Sequence, residues 1–425
     1  MFREKLDKLT IWKDKVNRKP LIVNGARQTG KSWLVREFGK LYFRSNFVEL
    51  NFEKNLEFHS IFKENLDPTR IINVLNLLTG KEIEIGKTLV FFDEIQMCPE
   101  ALMSLRYFYE EIPGLHIIAA GSLLDFTFRN IPFPVGRVEF ETLSPMTFIE
   151  FLIAGDNEKL ADLIKNKVEN IPDIVQNKIY SELMNYYVVG GMPECVKTFC
   201  ETNNFKTVNE IQQGLIYSFR QDFKKYSPNV DPECLSDILD NSSKNIGNQT
   251  IYSKLSDRFS NPTIKKGVNV LATARILTKV ENVGITGLPL IPSGKNFKAF
   301  FLDIGLLMNI SKFDYHSAYI NKSLIGAFEG ALAEQFVAQQ LLSYKGDLNY
   351  WARTKPGSSS EVDFVIIENK EIVPIEVKAG KKGSLKSLHY LLEHHKNINK
   401  AVVYGKIKSG KTDKIIFQPI YFAGL

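Results

Sequence analysis

Residues 25–32, Gly-Ala-Arg-Gln-Thr-Gly-Lys-Ser, match the phosphate-loop pattern G-x-x-x-x-G-K-[ST] at every fixed position. An apolar run at 21–23 precedes the loop, and residues 33–38 after it have the apolar spacing of a helix. In such a strand–loop–helix unit the glycines allow successive backbone N–H groups to point at phosphate oxygens, where the helix dipole favours anions. We therefore expect an α/β sheet that binds ATP at this loop. The expected nucleotide contacts are Gly25, Ala26, Arg27, Gln28, Thr29, Gly30, Lys31, Ser32 and Trp33.

Two acidic residues end the next buried strand. The continuous apolar run at 88–92 is typical of a strand buried on both faces, and Asp93 and Glu94 follow it at the carboxyl edge of the sheet, where open α/β sheets bind ligands. We expect Lys31 to reach the β- and γ-phosphates, and Ser32 and Asp93 to hold Mg²⁺. Glu94 is expected to orient and deprotonate the attacking water. The adjacent acidic pair favours hydrolysis over the alternative of a small-molecule kinase.

A third apolar run, 116–120, leads into Gly121 and Ser122. A small polar residue at such a strand end can sense the γ-phosphate or the attacking water, so Ser122 is a candidate catalytic residue. Two arginines follow, Arg129 and Arg137, and an arginine near the γ-phosphate, often from a neighbouring subunit, stabilises the charge of the transition state. Arg137 is therefore also a catalytic candidate, with a homo-oligomer as the implied state. The alternative for each arginine is an exposed position in a loop.

The length and composition limit the class of protein. A chain of 425 residues is too long for one hydrophobic core and should form about two to four domains. No apolar run approaches the roughly 18 residues of a membrane helix, and the mixed-charge N-terminus lacks an apolar signal core. The four cysteines have neither metal-ligand spacing nor the density of a disulfide framework. We expect a cytoplasmic protein with no membrane partner.

The positive charge is concentrated in two zones. Residues 244–299 carry nine Lys and Arg against two acidic residues, and residues 376–425 carry ten Lys against three, a net charge of +7 in each zone. Because the whole chain has a net charge of +6, the remainder carries −8. Basic zones on an acidic remainder indicate contact with a polyanion, for which DNA is the expected partner. The alternative is two lysine-rich faces that are simply solvated.

The middle of the chain resembles a helical region followed by a winged helix-turn-helix. Residues 145–225 are predicted to be mainly helical, with a turn between helices at Tyr186–Pro193 that two glycines and a proline fix. The winged-helix prediction has a first helix at 252–259, a turn at 260–262, a recognition helix at 263–273, and wing strands at 276–280 and 287–291. Winged helices on ATPases also serve as lids or protein contacts, and that alternative stays open. The residues expected to meet DNA phosphates are Lys265, Lys266 and Arg275.

The C-terminal region carries a second set of acidic residues. Glu334 lies in an amphipathic helix predicted at 328–342, and Asp363 lies near the start of a predicted strand. Glu376 and Lys378 share one face of the next strand, because side chains at i and i+2 align. A helix Glu, then Asp, then Glu-x-Lys is the order of the PD-(D/E)xK nuclease core. There Asp363 and Glu376 would bind Mg²⁺ with help from Glu334, and Lys378 would lower the pKa of the attacking water. The alternatives are a metal-binding module or a structural remnant without turnover.

Over nearly its full length, the chain resembles prokaryotic ATP-binding proteins that combine an AAA_14 domain with a C-terminal DUF4143 domain. The resemblance implies nucleotide contact at the phosphate loop, Mg²⁺ binding and hydrolysis at Asp93 and Glu94, and a nuclease-like fold around Asp363. One departure is Val362, which stands where the nuclease motif has proline. The motifs that carry the resemblance are Asn24–Ser32, Phe92–Gln96, Gly121–Ser122, Gly136–Arg137, Gly190–Pro193, Phe301–Leu306, Glu361–Phe364 and Pro374–Lys378.

Together these patterns predict an α/β protein of three domains. Residues 1–150 would form a P-loop NTPase domain with a doubly wound parallel sheet, 151–312 a helical and winged-helix domain, and 313–425 a restriction-endonuclease-like α/β domain. The expected function is Mg²⁺-dependent ATP hydrolysis of the AAA type, acting on or near DNA. The alternative is a nucleotide-gated signalling or scaffold protein whose C-terminal domains bind protein and have no nuclease activity.

Overall fold

A computed structural model of the chain describes residues 1–122, 124–127, 136–226, 229–312, 329–353, 360–379 and 384–425. Residues Phe2–Ser144 form one compact unit and Pro145–Leu425 form another. In the described part of the chain, no helix is both long and apolar enough to span a lipid bilayer.

The first unit is built on a five-stranded sheet in the order β2-β3-β4-β1-β5, in which every pair of neighbours is parallel. Its strands are β1 (Leu21–Asn24), β2 (Phe47–Asn51), β3 (Leu89–Asp93), β4 (His116–Ala120) and β5 (Glu139–Thr142). Its helices are α1 (Lys5–Lys13), α2 (Lys31–Tyr42), α3 (Phe58–Glu64), α4 (Pro68–Thr79), α5 (Pro99–Glu111) and α6 (Leu124–Thr127).

Both faces of this sheet are covered by apolar side chains, because successive residues of a strand point to opposite faces. Leu21 and Val23 belong to a core with Leu34 of α2, whereas Ile22 belongs to the opposite core with Leu105 of α5. The continuous apolar runs of the sequence are explained by this double burial. The predicted doubly wound sheet is confirmed.

The second unit begins with helices, as predicted for residues 145–225. The turn between the helices Asp173–Val189 and Pro193–Thr202 depends on two glycines: Gly190 has φ +73°, and a Cβ there would lie 2.0 Å from Asp303 Oδ1. Asp303 is fully buried and accepts a 2.6 Å hydrogen bond from the Gly191 N–H. The helices are α7 (Phe148–Ala154), α8 (Glu158–Lys165), α9 (Asp173–Val189), α10 (Pro193–Thr202), α11 (Phe205–Gln221), α12 (Phe223–Tyr226), α13 (Pro232–Lys244), α14 (Asn261–Thr273) and α15 (Ile304–Ile310).

The predicted first helix of the winged-helix segment, 252–259, is not formed. Only a single turn of 3-10 helix, Tyr252–Lys254, is present there. The chain after it is held to α13 instead, because Asn241 donates to the Leu255 carbonyl and Ser256 Oγ donates to Asp237. The helix that packs against α14 is therefore α13, and Gly267 allows the approach, since a Cβ there would lie 2.4 Å from Ile238 Cδ1.

The segment of the predicted wing forms an antiparallel hairpin that is longer than the predicted strands. Strands β6 (Leu277–Gly284) and β7 (Ile291–Phe301) pair antiparallel, and most of the predicted second strand at 287–291 lies in their connection. This hairpin, residues 277–301, also belongs to a larger sheet, because β6 pairs parallel with β8 (Asn349–Ala352).

The larger sheet has eight strands in the order β12-β13-β11-β10-β9-β8-β6-β7, and it is mixed. The sequence predicted a boundary at 312/313, whereas the hairpin shares this sheet with the C-terminal strands; the three-domain division stays a prediction. The remaining elements are α16 (Glu329–Tyr344), β9 (Glu361–Glu368), β10 (Glu371–Lys378), α17 (Lys386–His394), β11 (Ala401–Gly405), β12 (Gly410–Lys411) and β13 (Ile415–Pro419).

Candidate nucleotide-binding site and carboxylate cluster

The phosphate-loop sequence joins β1 to α2 by a tight connection. Gly25 has φ +147°, and a Cβ there would lie 2.3 Å from the Leu143 carbonyl oxygen, so a side chain is sterically excluded. Gly30, with φ +90°, immediately precedes the first residue of α2. Gln28 also adopts a left-handed conformation, with φ +63°. These backbone conformations turn the loop toward the N-terminus of α2, the arrangement that binds phosphate in such units.

The side chain of Lys31 is buried at the loop. Its Nζ donates to the carbonyl oxygens of Gly25 at 3.1 Å and Ala26 at 2.7 Å. Thr29 Oγ1 also donates to the Ala26 carbonyl, at 3.0 Å. The lysine ammonium therefore lies against the loop backbone, where it is positioned to meet an incoming phosphate.

Arg3 braces the loop, and the sequence analysis did not identify it. Its Nη1 donates to the Thr29 carbonyl at 2.8 Å and its Nη2 to the Ser144 carbonyl at 2.6 Å, while the residue is only 2% exposed. The sequence around Arg3 does not predict this role, because the residues that it contacts are 26 and 141 positions away.

Among the other residues expected to contact the nucleotide, Trp33 lies in the first turn of α2. It is partly buried against the apolar core that includes Leu34. Arg27 is half-buried and Gln28 is exposed at the loop tip. Their positions leave Gln28 accessible to a ligand.

Asp93 is the best-connected carboxylate of this site. Ser32 Oγ donates to Asp93 Oδ1 at 2.6 Å, and Asn51 Nδ2 and Arg36 Nη2 each donate to Oδ2 at 3.0 Å. Burial raises the pKa of this carboxyl, and the Ser32 hydrogen bond opposes that effect. Hydroxyl and carboxylate oxygens in contact are suitable Mg²⁺ ligands, so the residues present fit the ion that the P-loop implies. Arg36 and Asn51, which orient this carboxylate, were not anticipated.

Glu94 and Ser122 follow neighbouring strands. Asp93 lies opposite Ala120 in the β3–β4 register, so Glu94 and Ser122 emerge at the same carboxyl edge of the sheet. Glu94 has φ +52°, and its Oε2 accepts a 2.5 Å hydrogen bond from Gln96 Nε2. Ser122 is buried, with 7% exposure.

Arg137 is not brought to the phosphate loop of its own chain. It comes two residues before β5, which is parallel to β1, so it lies at the amino edge of the sheet, whereas the loop follows the carboxyl end of β1. There it pairs with Glu110, with 2.8 Å between Arg137 Nε and Glu110 Oε1. Arg129 lies outside the described residues.

In the second unit, the predicted nuclease-like residues lie on α16, β9 and β10. Asp363 Oδ2 accepts a 2.7 Å hydrogen bond from the Val377 N–H, which fixes it beside the strand of Glu376. Lys378 Nζ lies 2.5 Å from Glu376 Oε1. Glu376 Oε2 is buried and has no hydrogen-bond partner among the described residues.

A lysine that the sequence analysis missed lies among these acids. Lys298 of β7 has no exposed side-chain surface, and its Nζ is 2.5 Å from Glu361 Oε1, 3.1 Å from Glu334 Oε2 and 3.5 Å from Asp363 Oδ1. The available signal was a lone lysine inside the apolar run 297–301. We call Lys298, Glu334, Glu361, Asp363 and Glu376 the carboxylate cluster.

Two carboxylates of this cluster, Glu334 and Glu376, hold protons more tightly than usual. Burial, followed by the charge of Asp363, raises the pKa of Glu334 to about 8 and that of Glu376 to about 7. Burial lowers the pKa of Lys298, but the surrounding carboxylates outweigh it and the net shift is upward. No three His, Cys, Asp or Glu side chains of the described ranges are arranged to hold a metal ion. The expected Mg²⁺ site of Glu334, Asp363 and Glu376, with Lys378 as water activator, stays a prediction.

Comparison with known proteins agrees with the architecture. The AAA_14 model, described as an AAA domain, matches residues 17–152. A domain of unknown function, DUF8612, matches 180–317, and another, DUF4143, matches 329–422. No curated protein matches the chain.

Solved structures of low similarity also match. The Walker-type ATPase PABY2304 of Pyrococcus abyssi is 19% identical, with a TM-score of 0.45, and the match covers 72% of this chain and 95% of that one. The RuvB Holliday junction branch migration motor of Thermotoga maritima is 14% identical, with a TM-score of 0.33 and coverage of 66% and 90%. The AMPPCP-bound DnaA of Aquifex aeolicus is 10% identical, with a TM-score of 0.29 and coverage of 63% and 86%.

Two of the three matching models are those that the sequence motifs predicted, in the predicted order. The chain thus carries an AAA_14 domain followed by a DUF4143 domain, the combination that the sequence motifs predicted.

Proposed function

We propose that the first unit binds ATP with Mg²⁺ and hydrolyses it. The observation that carries this proposal is the contact between Ser32 and Asp93, which joins the end of the phosphate loop to the end of β3. An AAA-type P-loop fold with a buried lysine at the loop has the parts that triphosphate binding requires.

Each residue has a distinct role in this proposal. Lys31 and the loop N–H groups bind the phosphates, and Ser32 and Asp93 hold Mg²⁺, which would neutralise charge on the phosphate oxygens. Glu94 accepts the proton of the attacking water, and Ser122 senses the γ-phosphate. Gln96 fixes the direction of the Glu94 carboxylate.

The deciding experiment is ATP binding and hydrolysis by the Glu94→Gln variant. This change keeps the shape of the side chain and removes the base, so we expect ATP affinity near that of the wild type and a turnover lower by about 100-fold or more. Hydrolysis at the wild-type rate would remove Glu94 from the mechanism.

We also propose that Arg137 acts on the site of a neighbouring subunit. Within one chain it lies at the opposite edge of the sheet from the phosphate loop. An arginine supplied by another subunit can meet the γ-phosphate only in a homo-oligomer, which the proposal therefore requires.

We propose further that the winged segment contacts DNA. A cavity of about 420 Å³ lies between the start of α14 and the hairpin, lined by Lys265, Lys279, Lys295, Tyr252 and Phe297 among others. Lysines can neutralise phosphates while aromatic rings can stack on unpaired bases.

The order of elements around this cavity supports a winged helix. α13 is followed by an antiparallel bridge between Thr250 and Phe297, then the 3-10 turn, α14 and the hairpin. α14 is the element that would enter a DNA groove, with Lys265 and Lys266 exposed on it.

The second candidate function is a nucleotide-gated scaffold that binds protein. It is favoured by the ion pairs that several lysines of the basic zones make with carboxylates of the same chain. Lys279 pairs with Glu281, Lys298 with three carboxylates, and Lys400 with Glu368. DNA affinity that falls steeply with salt concentration would support the first proposal, and undetectable DNA binding at low salt would support the second.

A further inference from the structure

We propose that Lys298 is the resident cation of the carboxylate cluster and takes the place of a divalent metal. The C-terminal part of the molecule is then a binding module that requires no metal and does not cleave phosphodiesters with a metal-activated water. This inference is independent of ATP hydrolysis in the first unit.

The ammonium of Lys298 is surrounded by carboxylate oxygens. An ammonium has three N–H donors, and Nζ lies within 3.5 Å of oxygens from Glu361, Glu334 and Asp363. The rings of Tyr350 and Phe364 lie 5.6 and 6.0 Å from Nζ, at the distance of cation–π contacts. The position is therefore shaped around a cation.

Burial makes this lysine dependent on the acids around it. A charged group with no exposed surface is stable only when it is paired and hydrogen-bonded. The same acids are the candidate metal ligands, so a divalent cation between Glu334 and Asp363 would have to displace the ammonium or lie against a like charge. Lys298 and a metal thus compete for one position.

The lysine also joins two parts of the large sheet. Two strands, β8 and β6, separate β7 from β9 in the strand order, yet Lys298 contacts Glu361 and Asp363 of β9. The sheet must curve to bring the hairpin to this place. Gln249 strengthens the connection, because it donates to Glu361 Oε2 at 2.6 Å and accepts from Asn296 at 3.0 Å.

The test uses Mn²⁺ as the probe, with the full chain and no nucleotide. Melting temperature and the number of bound Mn²⁺ ions are measured for the wild type and for Asp363→Asn. We expect the two proteins to respond identically to Mn²⁺, since only the first unit contributes. Wild-type stabilisation by Mn²⁺ that disappears in Asp363→Asn would overturn the proposal, and this comparison stands even if lysine variants fail to fold.

Lys298→Met then removes the ammonium and keeps the rest of the unbranched side chain close to its original length. We expect a lower melting temperature without metal and, as Mn²⁺ is added, a rise a few degrees larger than that of the wild type, because binding to the native state stabilises it. That rise should be absent in Lys298→Met/Asp363→Asn. Lys279→Met is the matched control, a hairpin lysine with one paired carboxylate, and should gain no Mn²⁺ response. A folded Lys298→Met protein that responds to Mn²⁺ no more than the wild type would show that the lysine does not stand in for a metal.

Discussion

Gln96 Nε2 donates a 2.5 Å hydrogen bond to Glu94 Oε2, so the proposed base is held by a side chain two residues further along the chain. Gln96 is itself confined, because a Cβ on Gly121 would lie 2.3 Å from its Oε1. The base, its positioning residue and the end of β4 are thereby connected.

Gln96→Ala should lower kcat by about tenfold or more and leave ATP affinity unchanged, because the carboxylate is released from its orientation and the phosphate loop is untouched. Steady-state kinetics with calorimetric ATP binding measures both quantities. A purely structural role would change the melting temperature and KM together, whereas a positioning role changes kcat alone.

Lys31→Ala should weaken ATP binding severely and abolish hydrolysis, because it removes the buried ammonium at the loop that we propose binds the phosphates. Calorimetry with a non-hydrolysable ATP analogue measures the affinity. The matched control is Lys40→Ala, an exposed lysine near the end of the same helix, which should bind like the wild type. Equal affinity for wild type and Lys31→Ala would refute the assignment.

Arg137→Ala should lower hydrolysis by about 10³-fold or more if the arginine reaches a neighbouring site. Mixing inactive Arg137→Ala with inactive Lys31→Ala subunits should restore part of the activity, because a mixed interface pairs an intact loop with an intact arginine. Arg106→Ala is the control, since Arg106 pairs with the same Glu110 and is also exposed. No recovery on mixing, in an assembly proven to be mixed, would exclude action between subunits.

Reversing Lys265 and Lys266 to Glu should lower DNA affinity and reduce the salt slope by about one unit for each lost phosphate contact. ATP hydrolysis without DNA should not change. Lys197→Glu, on the exposed face of α10, is the control for a change of charge elsewhere. Equal DNA binding by the wild type, the double variant and Lys197→Glu would assign α14 to lid or protein contacts.

His116 should make the first unit sensitive to acid. Burial, followed by the charge of Arg18, lowers the pKa of His116 to about 4, and the ring packs edge-on against Trp12 and Phe43. Because the unfolded chain binds the proton at its ordinary pKa near 6.5, stability is complete above that pH and is lost as pH falls toward 4, by up to about 3 kcal/mol.

Hydrogen exchange at the β4 amides between pH 7 and 4 measures this loss. His116→Gln should flatten the dependence, whereas His389→Gln, at an exposed position of α17, should leave it unchanged. An equally steep loss in His116→Gln would assign the acid sensitivity to other groups.

The parts of the molecule that sequence predicts well are those fixed by local chemistry. The loop 25–32 needs glycines at given positions, and strands buried on both faces require continuous apolar runs, so both are recognisable without a partner. The helix predicted at 252–259 does not form, because this segment is hydrogen-bonded to α13. An example is the long-range hydrogen bond from Asn241 to the Leu255 carbonyl.

The role of Lys298 and the position of Arg137 could not be predicted from the sequence, for a related reason. The acids around Lys298 come from positions 36 to 65 residues away, and no spacing rule connects them. Arg137 precedes a strand whose direction decides at which edge of the sheet it lies, and strand direction is a property of the completed sheet.

The shared sheet has a consequence for inheritance. A genetic exchange that joined the hairpin of one such protein to the C-terminal strands of a distant relative would bring together β6 and β8 edges that had not evolved as partners. It would also separate Lys298 from its own Glu334, Glu361 and Asp363, leaving either a buried charge alone or carboxylates in mutual repulsion. Residues 277–425 should therefore pass between lineages as one block, with viable crossover points before the hairpin rather than behind it.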